Sequence, residues 1–206
     1  MSNTYRKLFA NRAKLIASVV GIGLCFTLAA TGESIAVGCE NGPGVLWPPN
    51  LADPLVTDER EVLKLIHRFN WALDDHRVTQ LDGLFTDNVT YELCNAVGDQ
   101  LQKTTGKDQL AVYLKTYFNE LTFRGTQTRH VGSNTLLNLV SATATTPTTI
   151  QGKTTVVVTL QHPDIETPVL DYTAVLRTVF TQDGTAWKFS QITLILDGPK
   201  LELRAR

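Results

Sequence analysis

The chain has 206 residues, 43% hydrophobic and 19% charged, with 14 Gly, 8 Pro and 3 Cys. That suits one domain of ordinary size plus an appendage, and it excludes wholly disordered, collagen-like and cysteine-dense classes. The formal net charge of −1 is unevenly spread, +3 over residues 1–39 and −4 over the remainder; a mildly acidic body without a Lys/Arg cluster lacks the footprint of a nucleic-acid binder, so no such partner is expected.

Arg6, Lys7, Arg12 and Lys14 precede LIASVVGIGLCFTLAA at 15–30, a run without a charge that leads into Thr31 and Gly32. A basic segment, an apolar core and then small residues is the layout of a secretory signal, here residues 1–32. The run is shorter than the roughly 20 residues that span a bilayer comfortably. The alternative is an uncleaved anchor, in which case residues 15–30 are the chain's one contact with a membrane. Both readings place the protein outside the cytoplasm, in a periplasm or the extracellular space. Residues 33–56 hold Gly42, Pro43, Gly44, Pro48, Pro49 and Pro54 and read as a linker, with Trp47 available to pin it to the domain. Cys25 lies inside the apolar run, which leaves Cys39 and Cys94 either to pair in an oxidising compartment or to stand as two unrelated thiols. No CxxC or Cys/His spacing points to zinc, and neither a metal nor a cofactor is expected.

The folded domain is expected over residues 57–200, with 201–206 as a tail. Asp58 followed by Glu61 reads as an Asp version of a capping box. Val62, Leu65, Ile66, Phe69 and Leu73 then recur at helical spacing. His67, Asn70 and Asp74 fall three and four residues apart, on a polar row bordering that stripe. Such a row lines a pocket or stays solvated, and for His67 the solvated flank is the simpler reading. A short helix is expected around Thr79–Leu84, a turn at Thr86–Asn88, and a strand from Val89 to Val97. Leu110, Tyr113, Leu114, Tyr117, Phe118 and Leu121 mark another helix opened by Gly106 and Lys107. Beyond Gly125 the chain turns to Thr, Val and Ile, with strands expected at Thr126–Val140, Ile150–Gln161, Val169–Thr181 and Ala186–Leu196. Ser141–Thr149 is read as a hairpin tip. Helices first and antiparallel strands afterwards is an α+β order.

EVLKLIHRFNWALDDHRVTQLDGLFTDNVTYE at 61–92 resembles the opening of SnoaL-like domains in the nuclear-transport-factor-2-like superfamily. Gly106-Lys107, Arg129-His130 with Asn134, and Asp171-Tyr172 through Arg177 to Gly184 and Trp187 agree with later landmarks of that family in the same order. The likeness covers about residues 57–197. It implies a cone-shaped α+β barrel: a curved antiparallel sheet wrapped around about three N-terminal helices, with a deep apolar pocket and frequent homodimers. Members include scytalone and bile-acid dehydratases, ketosteroid isomerases, polyketide cyclases and small subunits of ring-hydroxylating dioxygenases, so fold alone leaves activity open.

Carried over from the dehydratase branch, the catalytic pair is Asp74, at the end of the first helix, and His130, on the Arg-His strand. Elimination of water from a β-hydroxy ketone needs a base for the proton beside the carbonyl and an acid for the departing hydroxyl. One imidazole serves both steps when a carboxylate fixes its tautomer and steadies its cation. Phe69 and Leu73 stand where bile-acid and scytalone dehydratases, respectively, have a tyrosine, so a carbonyl-polarising phenol must come from elsewhere, with Tyr91, Tyr113 and Tyr117 as candidates. Phe69, Asn70, Tyr91, Tyr113, Tyr117 and Asn134 are therefore the expected substrate-binding residues. The plainer alternatives are that Asp74 bonds Arg77 or Arg129, that His130 bonds a backbone carbonyl, that Arg177 pairs with Asp171, and that Tyr172 and Trp187 merely pack on the sheet. His76 and His162 receive no role. Two functions follow from different classes: a cofactor-independent lyase or isomerase acting on a hydrophobic carbonyl-bearing metabolite, and a non-catalytic binding or accessory protein with the same pocket.

Overall fold

A computed structural model describes residue 39 and residues 52–140 and 148–198. The expected signal segment 1–32, nearly all of the linker, the centre of the hairpin tip and the tail 201–206 lie outside the described residues. The chain forms a first helix α1 (Val56–Asp74), a single-turn 3-10 helix (Val78–Leu81), a hairpin of β1 (Phe85–Cys94) and β2 (Gln100–Thr105), and a second helix α2 (Lys107–Phe123). Four long strands complete it: β3 (Gln127–Val140), β4 (Thr149–Gln161), β5 (Val169–Asp183) and β6 (Ala186–Leu196). All six strands join one sheet in the order β2-β1-β6-β5-β4-β3. Among the described residues no helix is long and apolar enough to cross a membrane.

The α+β order holds, with departures in detail. The sheet is mixed, because β1 runs parallel to β6 while every other pair is antiparallel. The β1–β2 hairpin comes before α2, so the helices are not all at the front; β2, with Lys103 and Gln102 among its residues, carries too little apolar alternation to stand out. The expected turn at Thr86–Asn88 lies inside β1, while Asn95 and Val97 fall in the turn beyond it. The third helix is reduced to its 3-10 turn. Asp58 does not cap α1, whose N-cap is Leu55 without a side-chain bond; instead Asp58 accepts a hydrogen bond from the Trp187 indole at 3.1 Å, tying the helix start to β6.

Period-two alternation sends Phe85, Val89, Tyr91 and Leu93 of β1, Val156 and Val158 of β4, and Leu176 and Phe180 of β5 into the same core as the buried stripe of α1. Phe69 of α1 meets Phe85 at 6.1 Å and Phe189 at 5.5 Å between ring centres, and Phe180 packs on Phe189 at 4.7 Å with the rings tilted. These contacts seat the helix on the inner face of the sheet. Register breaks in the β1–β2, β3–β4, β4–β5 and β5–β6 pairings insert extra residues of the kind that bend long strands.

Cys39 and Cys94 form a disulfide, which settles the alternative left open by the sequence. With Ile195 they make a small apolar cluster separate from the main core. The bond closes a loop with a sequence separation of 55, and chain-entropy arguments put a bond of that span at about 4 kcal/mol. A Cys39→Ser variant is therefore expected to unfold at lower urea than the oxidised wild type, and reduction of the wild type should bring the two midpoints together.

Candidate active site

The α1 helix delivers its carboxylate through simple helical geometry. Val62, Ile66, Asn70 and Asp74 are spaced by four, and all are buried, so the apolar row continues into polar residues over its last two turns. The helix then stops in a Schellman-type turn: Arg77 N–H bonds the Ala72 carbonyl and His76 N–H bonds that of Leu73, with His76 at φ +54°. Asp74 is thereby the last helical residue, facing β3.

On β3, Thr128 and His130 alternate onto the inner face. His130 Nδ1 lies 2.6 Å from Asp74 Oδ1, and the two side chains are only 4% and 6% exposed. The His130 backbone N–H also donates to both carboxylate oxygens, at 3.0 and 3.1 Å, and Thr128 Oγ1 donates at 3.4 Å. An ionised carboxylate has only acceptors, so the Nδ1 proton lies on the Asp74 side and the neutral imidazole carries its lone pair on Nε2. A buried carboxylate held by three groups from one strand is a rigid orienting element.

The imidazole lines a small cavity of about 50 Å³, room for a few water molecules on the scale of about 10–15 Å³ each. Its apolar wall is Phe69, Leu73, Leu114, Val156, Leu176 and Leu194. Its polar groups are Asn70, Tyr91, Tyr113, Tyr117, Tyr172 and His130. Among the described residues no Lys, Arg, Asp or Glu lines it. Burial pushes the pKa values of all four phenols upward; Tyr91 and Tyr172 move well above the usual value of 10, with neighbouring phenols adding to the effect. The rings of Tyr91 and Tyr113 lie 5.6 Å apart.

Of the residues expected to bind substrate, Phe69, Asn70, Tyr91, Tyr113 and Tyr117 line this cavity together with His130. Asn134 does not. It is exposed at φ +52° inside the register break between Ser133 and Leu136, where its tolerance of the left-handed region serves the bend of β3. His67 is exposed, on the solvated flank. Arg177 is buried on β5, six residues beyond Asp171 on the same strand. Tyr172 is a cavity residue rather than sheet packing alone; its alternation with Ala174 and Leu176 on an inward face was the available signal. His76, expected to have no role, stacks on Phe118 and sets Nε2 3.5 Å from Thr128 Oγ1, behind the carboxylate. Gly132 leaves room for the Asn70 amide, which would lie 3.2 Å from an added Cβ.

The sequence profile of the SnoaL-like domain family matches residues 54–193, more than half of the chain. No curated protein sequence gives a significant match. Among solved structures, a candidate scytalone dehydratase from Novosphingobium aromaticivorans superposes with a TM-score of 0.57 at 16% identity, covering 73% of this chain and 91% of its own. An NTF2-like protein with a cystatin-like fold from the same organism gives 0.56 at 16% identity, over 70% and 85%. The beta subunit of a candidate aromatic-ring-hydroxylating dioxygenase, also from that organism, gives 0.56 at 15% identity, over 72% and 94%. At these identities the likeness establishes the fold.

Two outcomes follow for stability. Asp74→Ala leaves the buried His130 groups without their acceptor and should cost about 3–5 kcal/mol in urea unfolding. Burial lowers the pKa of His76 below 6.5, against the raising pull of Asp74, with His130 and Arg129 acting in the same direction as burial and Asp75 opposing. The unfolded chain thus takes up this proton at a higher pH than the folded one. The contribution is complete above about 6.5 and is lost as pH falls through the depressed value. His76→Asn, which tolerates the same backbone angle, should flatten that part of the unfolding midpoint's pH profile.

Proposed function

The chain belongs to the SnoaL-like domain family, and we propose that it is a cofactor-independent lyase or isomerase, of dehydratase or cyclase type, acting on a small hydrophobic molecule that bears a carbonyl. The observation that carries this reading is the 2.6 Å link between two buried side chains, Asp74 and His130, whose imidazole borders an uncharged cavity. In a β-hydroxy ketone, His130 Nε2 takes the proton next to the carbonyl, and Asp74 stabilises the resulting imidazolium. The same nitrogen returns the proton to the β-hydroxyl as the C–O bond breaks, so an enone and water leave and the imidazole is regenerated. Isomerisation uses the first half of this cycle and returns the proton to carbon. The apolar wall supports a hydrophobic substrate, and a lining without charge among the described residues favours a neutral one.

The second reading is a binding or accessory protein with the same pocket, favoured by Phe69 and Leu73, which supply no hydroxyl beside the carboxylate. Export through residues 1–32 and a homodimer complete the proposal, and the Cys39–Cys94 disulfide supports an oxidising compartment.

The test is turnover of β-hydroxy ketones, beginning with the aldol adduct of benzaldehyde and acetone, whose dehydration is followed by enone absorbance. His130→Asn should lower the rate by about a hundredfold to ten-thousandfold, and Asp74→Asn should lower it substantially while leaving more residual activity. A wild-type protein that binds these ketones without dehydrating or isomerising any of them would decide for the binding protein.

A further inference from the structure

We propose that the reduced chain binds a thiophilic divalent cation of the zinc type between the Cys39 and Cys94 thiolates and the Glu92 carboxylate. A metal ion then holds Cys39 to β1 where the disulfide holds it in the oxidised chain. This site is independent of the acid–base pair. Tyr91 and Leu93 of β1 enter the main core, so alternation sends Glu92 and Cys94 to the opposite face of the sheet.

Residues i and i+2 of a strand stand side by side on one face, and Glu92 and Cys94 are such a pair. Cys39 joins them from a sequence separation of 55, with its Cα 5.3 Å from that of Cys94. One ligand atom from each of the three residues lies within 4.8 Å of the other two. All three are buried, Cys39 at 7%, Glu92 at 6% and Cys94 at 0% exposure. Tetrahedral zinc, with bonds of about 2.3 Å to sulfur and about 2.1 Å to oxygen, sets its ligand atoms roughly 3.5–3.8 Å apart. Side-chain rotation therefore parts the two sulfurs and draws the carboxylate in, and a water takes the fourth position. Thiolates select soft cations, and one carboxylate oxygen beside them suits zinc. The ligands come from strand alternation and a distant segment, so no local cysteine spacing announces them.

Cys39 has a seat that does not depend on the sulfur bond. Gly98, at φ +93°, leaves open the space where a Cβ would come within 2.9 Å of the Cys39 carbonyl oxygen. At the far end of the linker, the Leu139 N–H donates to the Ala52 carbonyl at 2.7 Å. Opening the disulfide thus leaves two thiols beside a buried carboxylate. Lys103 is the cation already there, its Nζ 2.7 Å from Glu92 Oε1, but its side chain is 48% exposed and can turn to solvent.

The exchange balances with a phosphine or dithiol as the reductant. Two electrons and two protons convert the S–S bond to two thiols, and the reductant leaves as phosphine oxide or disulfide. The cation then displaces the two thiol protons, so binding strengthens as pH rises.

The test titrates the full chain with cadmium ion alone, after reduction by a phosphine under nitrogen, and follows the ultraviolet thiolate-to-cadmium band; zinc is then read by competition. Reduced wild type should bind one cadmium ion, which should raise the urea midpoint that reduction lowered. Oxidised wild type should show no band. Cys39→Ser and Cys94→Ser should lose the site, and Cys25→Ser should bind as wild type does. Glu92→Gln should weaken binding at least about tenfold, while Lys103→Met, an exposed change that removes the competing cation, should tighten it up to about fivefold. Reduced wild type without the band overturns the site, as does equal binding by the oxidised chain or by Cys39→Ser. Binding unchanged in both Glu92→Gln and Lys103→Met overturns the three-ligand assignment in favour of two thiols alone, and loss of the band in Cys25→Ser overturns it in favour of a different thiol pair.

Discussion

A carboxylate buried at the end of a helix has to be satisfied, and the groups that satisfy Asp74 come from one short stretch of β3. The Thr128 hydroxyl, the His130 backbone N–H and the His130 ring all converge on it. Gln127 adds a bond to the Asp74 carbonyl. The cluster therefore joins α1 to the edge strand of the sheet, and it fixes the orientation of the His130 imidazole at the cavity. Structural and chemical demands coincide here. An unpaired ionised carboxylate would be costly in this surrounding, and an imidazole without it would be free to choose its tautomer.

The sheet makes that meeting possible over a long sequence distance. Asp74 and His130 are 56 residues apart, and the intervening chain builds the β1–β2 hairpin and α2 before it returns as β3. Because β1 lies beside β6 rather than β3, the hairpin is placed on the far side of the sheet from the strand that carries His130. The cavity is left between α1, α2 and the inner faces of β1, β3, β4, β5 and β6. The aromatic cluster of Phe69, Phe85, Phe180 and Phe189 then sets how α1 lies on that surface. An error at this contact would move Asp74 along with the helix.

Much of this was legible from residue pattern. The stripe Val62, Leu65, Ile66, Phe69 located α1, and Thr/Val-rich runs located β3 to β6, because these elements bury one regular face. Elements whose stability comes from neighbours were not legible. β2 has one buried residue, Thr104, and depends on its backbone pairing with β1; the parallel β1–β6 pairing is a long-range choice that no local spacing records. Asp58 illustrates how a local rule yields to a distant partner, since the Trp187 indole takes the carboxylate that a capping box would have used. At the site, helical phase and family likeness together found Asp74 and His130. Asn134 was misplaced because an Asn can serve a bulge as readily as a pocket. Tyr172 was underrated because alternation says which face a residue shares, while only the curl of the sheet says what that face encloses.

The composition of the cavity follows from the same constraint that keeps Asp74 buried. A charged lining residue would need its own partner in this apolar enclosure, as the buried Asp74 has in His130 and Thr128. Neutral donors avoid that cost. Phenols offer a hydroxyl on a rigid ring with few rotamers to restrain, and burial strengthens their hold on the proton rather than weakening it. A pocket built of Phe, Leu, Val and Tyr can thus remain dry around the imidazole and still meet developing charge on a ligand oxygen. The missing hydroxyl at Phe69 is intelligible in these terms. Its ring is packed among Phe85 and Phe189, where an added hydroxyl would require a partner, while the strand opposite supplies donors without disturbing the contact that seats the helix.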